Sequence, residues 1–400
     1  MSEHQTPRPP QALGAAPRHG ATAQHPATPA ELDLRMMRRA LQLAGRVLYR
    51  TSPNPRVGCV LVRDGRVLAE GATEEAGSRH AEAVALAEAK RRGVDPGGAT
   101  AYVTLEPCSH HGRTPPCADA LAAAGVARVV AAARDPNPLV DGGGLQRLRD
   151  AGVHVECGLL ENESRELNLG FFSRIERGRP WLRLKVASSL DGITALPNGA
   201  SQWITGPAAR ADAHHWRARA CAVLTGIGTV RDDDPRLDVR HVATTRQPWR
   251  VVVDSRLELG PQARLLRHGD PARVLVAHAL DPAEAARRGA ALLDLGAQLL
   301  AVPGDADKPG KVDLRELMHL LAQRQIGELH VEAGARLNAS LLAAGVVDEV
   351  LVYQAALLLG QGAGIGPFGP LQAPSEGLRL HRVEVLPIGV DYRWRGRLGG

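Results

Sequence analysis

The sequence predicts an α/β protein made of two domains. A length of 400 residues exceeds what one ordinary hydrophobic core organises. The content of 44% hydrophobic and 23% charged residues is typical of a globular chain. After residue 30, helical patterns alternate with short apolar runs along the whole chain, which indicates mixed sheets covered by helices.

Residues 1–30 are predicted to form a disordered tail. The segment holds six Pro and seven Ala and has no apolar core, so it does not resemble a secretory signal. An alternative is that translation starts further downstream than Met1. Order is expected to begin at Thr28-Pro-Ala-Glu31, which has a capping-box pattern with proline in the first helical turn.

The first domain is predicted to span residues 31–178. An amphipathic helix over 31–50 opens it, and a β-hairpin over 57–69 follows, with Asp64-Gly65 as its turn. The other predicted elements are helix 80–92, strand 100–105, helix 117–124, strand 126–133, helix 143–151, strand 153–157 and helix 161–177. Gly178-Arg-Pro180 ends the last helix, and we place the domain boundary there.

The second domain is predicted to span residues 179–400, again with alternating strands and helices. The predicted strands are 181–187, 221–225, 250–254, 273–277, 328–332 and 348–353, with a terminal hairpin over 379–386 and 390–396. The predicted helices are 206–219, 313–325 and 336–344, with a further helix and strand within 285–302. The domain does not open with the ~30-residue G-x-G-x-x-G unit of dinucleotide-binding folds.

Four residues of the first domain have the order and spacing of a zinc-dependent deaminase site. A neutral imidazole from His80 and thiolates from Cys108 and Cys117 would make three zinc ligands and leave the fourth tetrahedral position for water. The metal would lower the pKa of that water, so that hydroxide forms at working pH. Glu82 is close enough to move a proton from the water to a leaving amine.

The alternative is that these side chains are ordinary core residues, because free cysteine is among the most buried residue types. Each residue taken alone favours that interpretation, but the four residues together favour a metal site. The predicted elements place the ligands at one strand end and at two helix starts, which lets them converge on one metal ion. A structural zinc site would use four protein ligands and would not need Glu82.

Composition and charge restrict the classes of partner. Aromatic residues make up only 3% of the chain, which argues against nucleic acid, whereas a net charge of +6 suits small anions such as phosphates. No apolar run approaches the ~20 residues that span a bilayer. An odd number of cysteines, five, without a disulfide framework favours a reducing compartment, and we expect a cytoplasmic location.

Two glycine-containing turns of the second domain are candidate phosphate-binding loops. Residues 225–229 (Thr-Gly-Ile-Gly-Thr) follow a predicted strand, and residues 332–334 (Glu-Ala-Gly) lead into a predicted helix. Both present backbone N–H groups where phosphates bind in other folds. Such turns are usually only turns, so alone they are weak evidence for a dinucleotide.

Taken together, the motifs resemble those of the bifunctional riboflavin-biosynthesis deaminase–reductases, that is, diaminohydroxyphosphoribosylaminopyrimidine deaminase / 5-amino-6-(5-phosphoribosylamino)uracil reductase. In the first domain the resemblance rests on the motifs at 53–58, 80–82 and 102–117, including the eight residues between the two cysteines. In the second it rests on the motifs at 188–192, 201–205, 228–230, 233–235 and 331–334. It covers essentially everything after residue 30.

The resemblance implies a cytidine-deaminase-like α/β/α sandwich followed by a dihydrofolate-reductase-like α/β domain. It implies two consecutive steps on a phosphorylated pyrimidine. Zinc hydroxide would deaminate 2,5-diamino-6-ribosylamino-4(3H)-pyrimidinone 5′-phosphate, and NADPH would then reduce the ribosyl group to ribityl. The implied product is 5-amino-6-(5-phosphoribitylamino)uracil, and a homo-oligomer, either dimer or tetramer, is expected.

The resemblance also assigns site residues. The implied NADP-binding residues are Ala187, Trp203, Thr229, Asp233, Ser255 and Gly334. The implied substrate-binding residues are Asn54, Lys185, Ser201, Arg217, Leu237, Arg240 and Glu332, and His110, His111 and Arg113 are further candidates. Alternatives remain for several of them, because Asn is common in turns, Trp203 also suits a core, and Arg217 and Arg240 also suit a plain surface.

Two positions depart from the pattern of the resembled family, in which a basic residue follows Ser-Leu-Asp-Gly and a proline follows Tyr-x-Ala. Here these positions are Ile193 and Ala356. Two other functions stay open from the sequence. One is a deaminase of another nucleobase or of transfer RNA, with the second domain as a binding appendage. The other is a non-enzymatic regulatory protein with a structural zinc ion.

Overall fold

The computed structural model describes residues 28–109, 115–138 and 140–399. Within these ranges the chain forms two β-sheets, one of five strands and one of nine, each covered by helices. The predicted arrangement of two successive α/β units is therefore confirmed. Across the described residues, no helix is long and apolar enough to cross a membrane.

The first sheet is a mixed five-stranded sheet between two layers of helices. Its strands are β1 (Gly58–Arg63), β2 (Arg66–Ala72), β3 (Thr100–Val103), β4 (Arg128–Ala131) and β5 (His154–Cys157). Its helices are α1 (Pro29–Arg46), α2 (Ala81–Arg91), α3 (Cys117–Ala123) and α4 (Gly143–Asp150). The strand order is β2-β1-β3-β4-β5, with β1 antiparallel to both neighbours and β3, β4 and β5 parallel.

Alternating side chains of β1 supply the two faces of this sheet. Val60 packs with Met37 of α1 in one apolar cluster, whereas Leu61 packs with Ala85 of α2 in another. This alternation follows from the two-residue period of a strand. The hairpin turn is confirmed, since Asp64 and Gly65 have positive φ angles of 52° and 71°, as a type I′ turn requires.

The single helix predicted over 161–177 is wrong, because two helices occupy that segment. These are α5 (Glu161–Leu167) and α6 (Leu169–Arg177), and they meet at Asn168. The buried Asn168 side chain accepts a hydrogen bond from the Arg56 N–H (2.8 Å) and donates one to the Arg56 carbonyl (3.0 Å). The same amide donates to the Ser164 carbonyl, four residues back, at 3.3 Å, and a local bond of this kind competes with the backbone hydrogen bonds that would continue the helix.

The second sheet has seven parallel strands and a C-terminal antiparallel hairpin. Its strands are β6 (Trp181–Ser188), β7 (Ala222–Gly226), β8 (Trp249–Val253), β9 (Val274–His278), β10 (Gln298–Ala301), β11 (Glu328–Val331), β12 (Glu349–Gln354), β13 (Leu380–Ile388) and β14 (Asp391–Leu398). The strand order is β10-β9-β8-β7-β11-β6-β12-β14-β13. Leucine side chains of the central strands, such as Leu184 and Leu329, form its main core with Met318.

Six helices accompany the second sheet. They are α7 (Pro207–Arg219), α8 (Ile227–Asp233), α9 (Arg264–Arg267), α10 (Pro282–Asp294), α11 (Leu314–Gln323) and α12 (Ala335–Ala343). The short helices α8 and α9 were not predicted, because seven and four residues are too few to show a helical period. Helix α8 begins directly after Gly226, so the first candidate phosphate-binding turn opens a helix.

A buried carboxylate joins the two halves of the molecule. Glu328 of β11 pairs with Arg56 of the first domain at 2.6 Å, with Arg219 at 2.7 Å and with Arg183 at 3.5 Å. Burial alone would raise the pKa of Glu328, but the three guanidinium groups outweigh it and hold this pKa well below its ordinary value. Beside this cluster, Gly170 of α6 packs so closely on Glu328 that an added Cβ would lie 2.5 Å from the Glu328 Cγ.

Candidate active sites

The three predicted zinc ligands converge beside the first sheet. His80 is the N-cap residue of α2, Cys117 is the first residue of α3, and Cys108 lies in the segment that follows β3. His80 Nδ1 lies 3.6 Å from Cys108 Sγ and 3.5 Å from Cys117 Sγ. Among the described residues, this is the group of metal-ligand side chains whose ligand atoms all lie within 4.8 Å of one another.

These distances fit a zinc ion. Zinc–nitrogen and zinc–sulfur bonds of about 2.0 and 2.3 Å at tetrahedral angles place nitrogen and sulfur about 3.6 Å apart. The Cys108 sulfur has thiolate character, because hydrogen bonds from the Cys117 thiol and from His80 lower the pKa of Cys108 to about 4 against the effect of burial. The same hydrogen bond with Cys108, together with burial, raises the pKa of Cys117. The Cys117 backbone N–H donates to the same sulfur at 3.4 Å. Three such ligands leave one tetrahedral position open.

Glu82 lies next to these ligands in the first turn of α2 and is only 3% exposed. Burial raises the pKa of Glu82 to about 7, and the neighbouring Cys108 charge adds to the rise. A carboxyl group that titrates near neutral pH can both accept and donate a proton there. The arrangement of a proton carrier beside a three-ligand metal site can therefore support hydrolytic removal of an amine.

A cavity of about 320 Å³ opens beside His80, Glu82 and Cys108. Asn54 lies in its wall, on a turn closed by a hydrogen bond from the Asn54 N–H to the Thr51 carbonyl (2.9 Å). Within the described part of the chain, no group hydrogen-bonds the Asn54 side-chain amide, which is free to meet a ligand.

Residues from outside the first sheet complete the wall of this cavity. Helix α6 contributes Phe171 and Arg174, and the turn after α11 contributes Gln325. The Arg174 Nε atom is buried and has no hydrogen-bond partner among the described residues, and burial lowers the pKa of this guanidinium. The cavity wall thus holds a guanidinium group that forms no ion pair with any residue of the described ranges, and one wall residue comes from the second domain.

The second group of predicted residues lies at the carboxyl ends of β6, β7 and β11. These strands are parallel neighbours, and ligands of open α/β sheets bind at this edge. The Lys185 ammonium group on β6 lies 5.8 Å from the centre of the Tyr353 ring. Burial lowers the pKa of Lys185, Glu332 opposes that shift and Arg217 adds to it.

Arg217 and Glu332 form a close ion pair in this region. The Arg217 Nη2 atom donates to Glu332 Oε2 at 2.9 Å, and a second hydrogen bond joins Nε to Oε1. Burial opposes ionisation of Glu332, but Arg217 holds its pKa well below the ordinary value. Arg217 Nη1 also donates to the Asp238 carbonyl at 3.0 Å, whereas Arg240 pairs with the Asp238 carboxylate. Arg217 is therefore no isolated surface arginine.

Four of the predicted cofactor and substrate residues form two hydrogen-bonded pairs. The Gly334 N–H donates to Thr229 Oγ1 at 3.0 Å, so the two candidate phosphate-binding turns contact each other. The Ser201 hydroxyl donates to Asp233 at 3.1 Å.

The other predicted residues of this site lie on separate elements. Ala187 lies on β6 opposite Tyr353 and Leu237 is buried, whereas the Ser255 hydroxyl accepts a hydrogen bond from Val312 at 3.1 Å. Trp203 is 69% exposed, so the alternative that it is a core residue is wrong.

Two family models match the chain. Residues 30–133 match the cytidine and deoxycytidylate deaminase zinc-binding region, and residues 180–393 match the RibD C-terminal domain. The riboflavin biosynthesis protein RibD of Escherichia coli is 44% identical over 89% of this chain and 96% of its own length. The RibD of Aquifex aeolicus is 40% identical over 90% of this chain and 97% of its own length.

The chain belongs to the RibD family.

Solved structures agree with this membership. The RibD of Acinetobacter baumannii is 42% identical, with a TM-score of 0.83 over 92% of this chain and 99% of that one. The Thermotoga maritima diaminohydroxyphosphoribosylaminopyrimidine deaminase/5-amino-6-(5-phosphoribosylamino)uracil reductase is 33% identical, with a TM-score of 0.79 over the same shares. As a member of this family, the chain is a bifunctional enzyme of riboflavin biosynthesis, with a zinc-binding deaminase domain and a reductase domain. The predicted fold class is confirmed.

Residues of the deaminase site that the sequence analysis did not single out include Arg174, Gln325 and Glu106. Arg174 and Gln325 follow no local pattern, since each reaches the cavity from a remote element. Glu106 stood inside the recognised motif but received no role. Its carboxylate accepts hydrogen bonds from the Gly144 and Leu145 N–H groups at 2.9 and 3.2 Å and so caps α4. Gly144 is required there, because an added Cβ would lie 1.8 Å from the Pro107 carbonyl oxygen.

Some predicted residues have no structural counterpart here. His110, His111 and Arg113, suggested as substrate contacts, lie outside the described residues, as does the predicted tail up to residue 27. At the first departure from the resembled pattern, the Ile193 N–H donates to the Ser189 hydroxyl at 2.9 Å, which closes the loop without a basic side chain. At the second departure, Ala356 is exposed just beyond the end of β12.

Proposed function

We propose that this chain catalyses two consecutive steps on one phosphorylated pyrimidine. The first deaminates 2,5-diamino-6-ribosylamino-4(3H)-pyrimidinone 5′-phosphate, and the second uses NADPH to give 5-amino-6-(5-phosphoribitylamino)uracil. The observation that carries the proposal is the convergence of His80, Cys108 and Cys117 beside Glu82 in a chain that also has a RibD reductase domain. The Thermotoga maritima relative carries both activities in its name.

In the proposed deamination, the protein orients the substrate and moves protons. His80, Cys108 and Cys117 would hold a zinc ion, which as a Lewis acid would lower the pKa of a water molecule. Glu82 accepts a proton on its carboxylate and returns it to the departing amine, and water replaces ammonia at the ring carbon. Asn54 contacts the ring or the ribose from the cavity wall, and burial of Glu82 keeps its pKa in the range that proton transfer needs.

In the proposed reduction, the protein positions a cofactor and a sugar. A bound NADPH would supply the hydride for C1′, and the balancing proton would go to the ring oxygen as the C1′–O bond opens. We assign the cofactor to Ala187, Trp203, Thr229, Asp233, Ser255 and Gly334. We assign the substrate to Lys185, Ser201, Arg217, Leu237, Arg240 and Glu332. The contact between Thr229 and Gly334, at the start of α12, supports a phosphate-bearing cofactor at that edge.

We also propose domain limits of 31–178 and 179–400. The turn at Gly178, which has a positive φ of 65°, separates α6 from the first strand of the second sheet. A cytoplasmic location and the absence of nucleic-acid partners stay predictions from composition.

A coupled assay tests the proposed function. The zinc-loaded protein is incubated with the diaminopyrimidinone substrate and NADPH, while ammonia release and absorbance at 340 nm are followed together. We expect ammonia first and NADPH oxidation after it. Ammonia without oxidation would remove the reductase step, and Ile193 and Ala356 would be the first residues to restore. If zinc is bound and neither ammonia release nor NADPH oxidation is observed, the proposal is overturned.

Replacing Arg174 with Met should raise the KM for deamination by about 10- to 100-fold, because a hydrogen bond to a charged group is worth about 1.5–3 kcal/mol. We propose that its unpaired guanidinium binds an oxygen of the substrate. Steady-state kinetics of ammonia release measure the change, and the reduction step of the same protein is the internal control. Arg174→Lys should recover part of the loss. An unchanged KM would remove Arg174 from the site.

The C-terminal hairpin supports the expected homo-oligomer. β13 is an edge strand of nine residues, and its exposed side chains include Val383 (49%) and Val385 (40%). Long apolar edges of this kind pair with other chains. We propose that two copies associate through β13. Val385→Lys should shift the molar mass measured by light scattering toward the monomer, whereas Val67→Lys, at an equally exposed position (39%) in the first-domain hairpin, should leave it unchanged. If the two variants had the same molar mass, the proposed interface would be contradicted.

A further inference from the structure

A second cavity, of about 550 Å³, lies where the two domains meet. We call it the junction cavity and define it by its five arginines, Arg50 from the first domain and Arg236, Arg246, Arg250 and Arg273 from the second. None of these residues belongs to the proposed deaminase or reductase site. Its volume is within the range of ~300–1,000 Å³ typical of small-molecule sites.

The positive charge of the junction cavity is not neutralised by its own carboxylates. Five arginines face only Glu75, Asp238 and Asp270 in the wall. Of the five, Arg236 makes an ion pair, to Asp238 at 2.7 Å, and its buried Nε atom has no hydrogen-bond partner among the described residues. Glu75 instead accepts a hydrogen bond from the Thr245 hydroxyl at 2.7 Å, across the domain junction.

Two of the arginines are held in place by backbone carbonyls alone. Arg250 is 5% exposed and donates to the His268 carbonyl at 2.7 Å, with further bonds to two other carbonyls. Arg246 donates to the Ala218 and Ala220 carbonyls at 2.8 Å. Within the described ranges neither guanidinium meets a carboxylate side chain. Burial lowers the pKa of both guanidinium groups.

The junction cavity also shares wall segments with both proposed active sites. Ser52 lines it, while the next residues, 53–55, line the deaminase cavity. Asp238 lines it as well, while its carbonyl holds Arg217 and its carboxylate holds Arg240 of the proposed reductase site. The junction cavity therefore lies between the two sites.

We propose that the junction cavity is a third binding site, which takes a phosphate monoester. Five arginines against three carboxylates leave two positive charges, and a phosphate monoester carries about −1.5 to −2 at pH 7. Arginine is suited to this group because its planar fork donates two hydrogen bonds to one phosphate. The ligand is either the phosphorylated pyrimidine on its way between the sites, an assignment that rests on the proposed function, or a free phosphate compound that regulates the enzyme.

The binding test uses inorganic phosphate and the full-length protein. Arg50 and Arg273 are exposed and make no ion pair in the described chain, so R50Q/R273Q removes charge without cutting a structural contact to a carboxylate. R91Q/R287Q removes the same charge from exposed helical positions as a control. All titrations are done by calorimetry in an R240Q background, which removes one arginine of the proposed reductase substrate site.

We expect phosphate to bind at least about tenfold more weakly to R50Q/R273Q than to the R240Q parent or the control, and more weakly at higher salt. Equal affinity in all three proteins would overturn the proposal. No turnover is needed for this measurement, so its result is independent of whether the proposed function holds. R236Q, tested separately, should weaken binding in the same direction.

The two sources of the ligand are separated by kinetics without the R240Q change. If the pyrimidine intermediate is held here, R50Q/R273Q should lengthen the lag before NADPH oxidation when the reaction starts from the deaminase substrate, with each step unchanged when assayed alone. If a free phosphate compound is the ligand, the lag should stay constant and the effect of added phosphate on either rate should disappear. Loss of binding in R50Q/R273Q with either pattern supports the site.

Discussion

Replacing Glu82 with Gln should lower the rate of deamination by about 10²- to 10⁴-fold, the usual contribution of a positioned general acid and base. The amide keeps the size and burial of the side chain but can neither accept nor return the proton. Because His80, Cys108 and Cys117 are untouched, the zinc content should stay at that of the parent protein. The reduction step should also be unchanged, since Glu82 lies in the other domain.

Ammonia release measures the effect, and metal analysis of the same sample measures zinc. Glu88→Gln is the matched control, because Glu88 lies on the same helix but pairs with Arg91 at the surface. Its deamination rate should be that of the parent. Deamination by Glu82→Gln at the parent rate would show that the proton takes another route. Loss of zinc together with activity would instead give Glu82 a role in holding the metal site.

Replacing Lys185 with Ala should lower the rate of reduction by about 10²- to 10³-fold, the typical cost of removing one donor that faces developing negative charge. The ammonium group lies next to the Arg217–Glu332 pair, and burial lowers its pKa. A lysine with a lowered pKa loses its proton below the ordinary value of about 10.4. The rate of reduction should therefore fall with rising pH earlier than an ordinary lysine would dictate.

NADPH oxidation with the deaminated intermediate as substrate measures this effect, and ammonia release should be nearly intact. Lys90→Ala, at an exposed position on α2, serves as a control for loss of a lysine. Lys185→Arg keeps the charge and should retain the rate at high pH better than the parent. Equal loss of both steps in Lys185→Ala would indicate a folding defect or a misplaced domain boundary, and would remove the evidence for a role in reduction.

The order of helices and strands was largely predictable, because apolar residues repeat in the local sequence with a period of 2 in strands and 3.6 in helices. The exceptions have a common cause. Asn168 breaks a helical pattern by bonding to Arg56, which is more than a hundred residues away in the chain. Helices α8 and α9 are too short to show a period. Pattern reasoning fails where a distant contact or a single turn decides the local structure.

The site residues likewise fall into two groups, those that the local sequence predicts and those that it does not. The deaminase site could be predicted from the sequence, because its metal ligands and proton carrier lie at the ends of helices and strands with a characteristic spacing. These residues are His80, Glu82, Cys108 and Cys117. Among the reductase residues, Thr229, Glu332 and Gly334 lie in the glycine-containing turns that the sequence indicated weakly, and the specific roles came from the resemblance. Local spacing could not supply these roles, since the ion pair of Arg217 and Glu332 joins positions 115 residues apart. No role could be predicted for Arg174 or for the arginines of the junction cavity, because their positions depend on contacts between elements that are remote in the sequence.

The buried Glu328 has a consequence for the gene that encodes this protein. Separate production of the two halves would leave Glu328 without Arg56 and would open the packing of Gly170 on its neighbour. Glu328 would keep its two partners in the second half, Arg219 and Arg183, whereas Arg56 would lose its carboxylate. Gene fission between the two catalysts would therefore leave the first half with Arg56 lacking this ion pair and with Gly170 lacking its packing partner. This contact therefore favours the retention of both activities in a single gene.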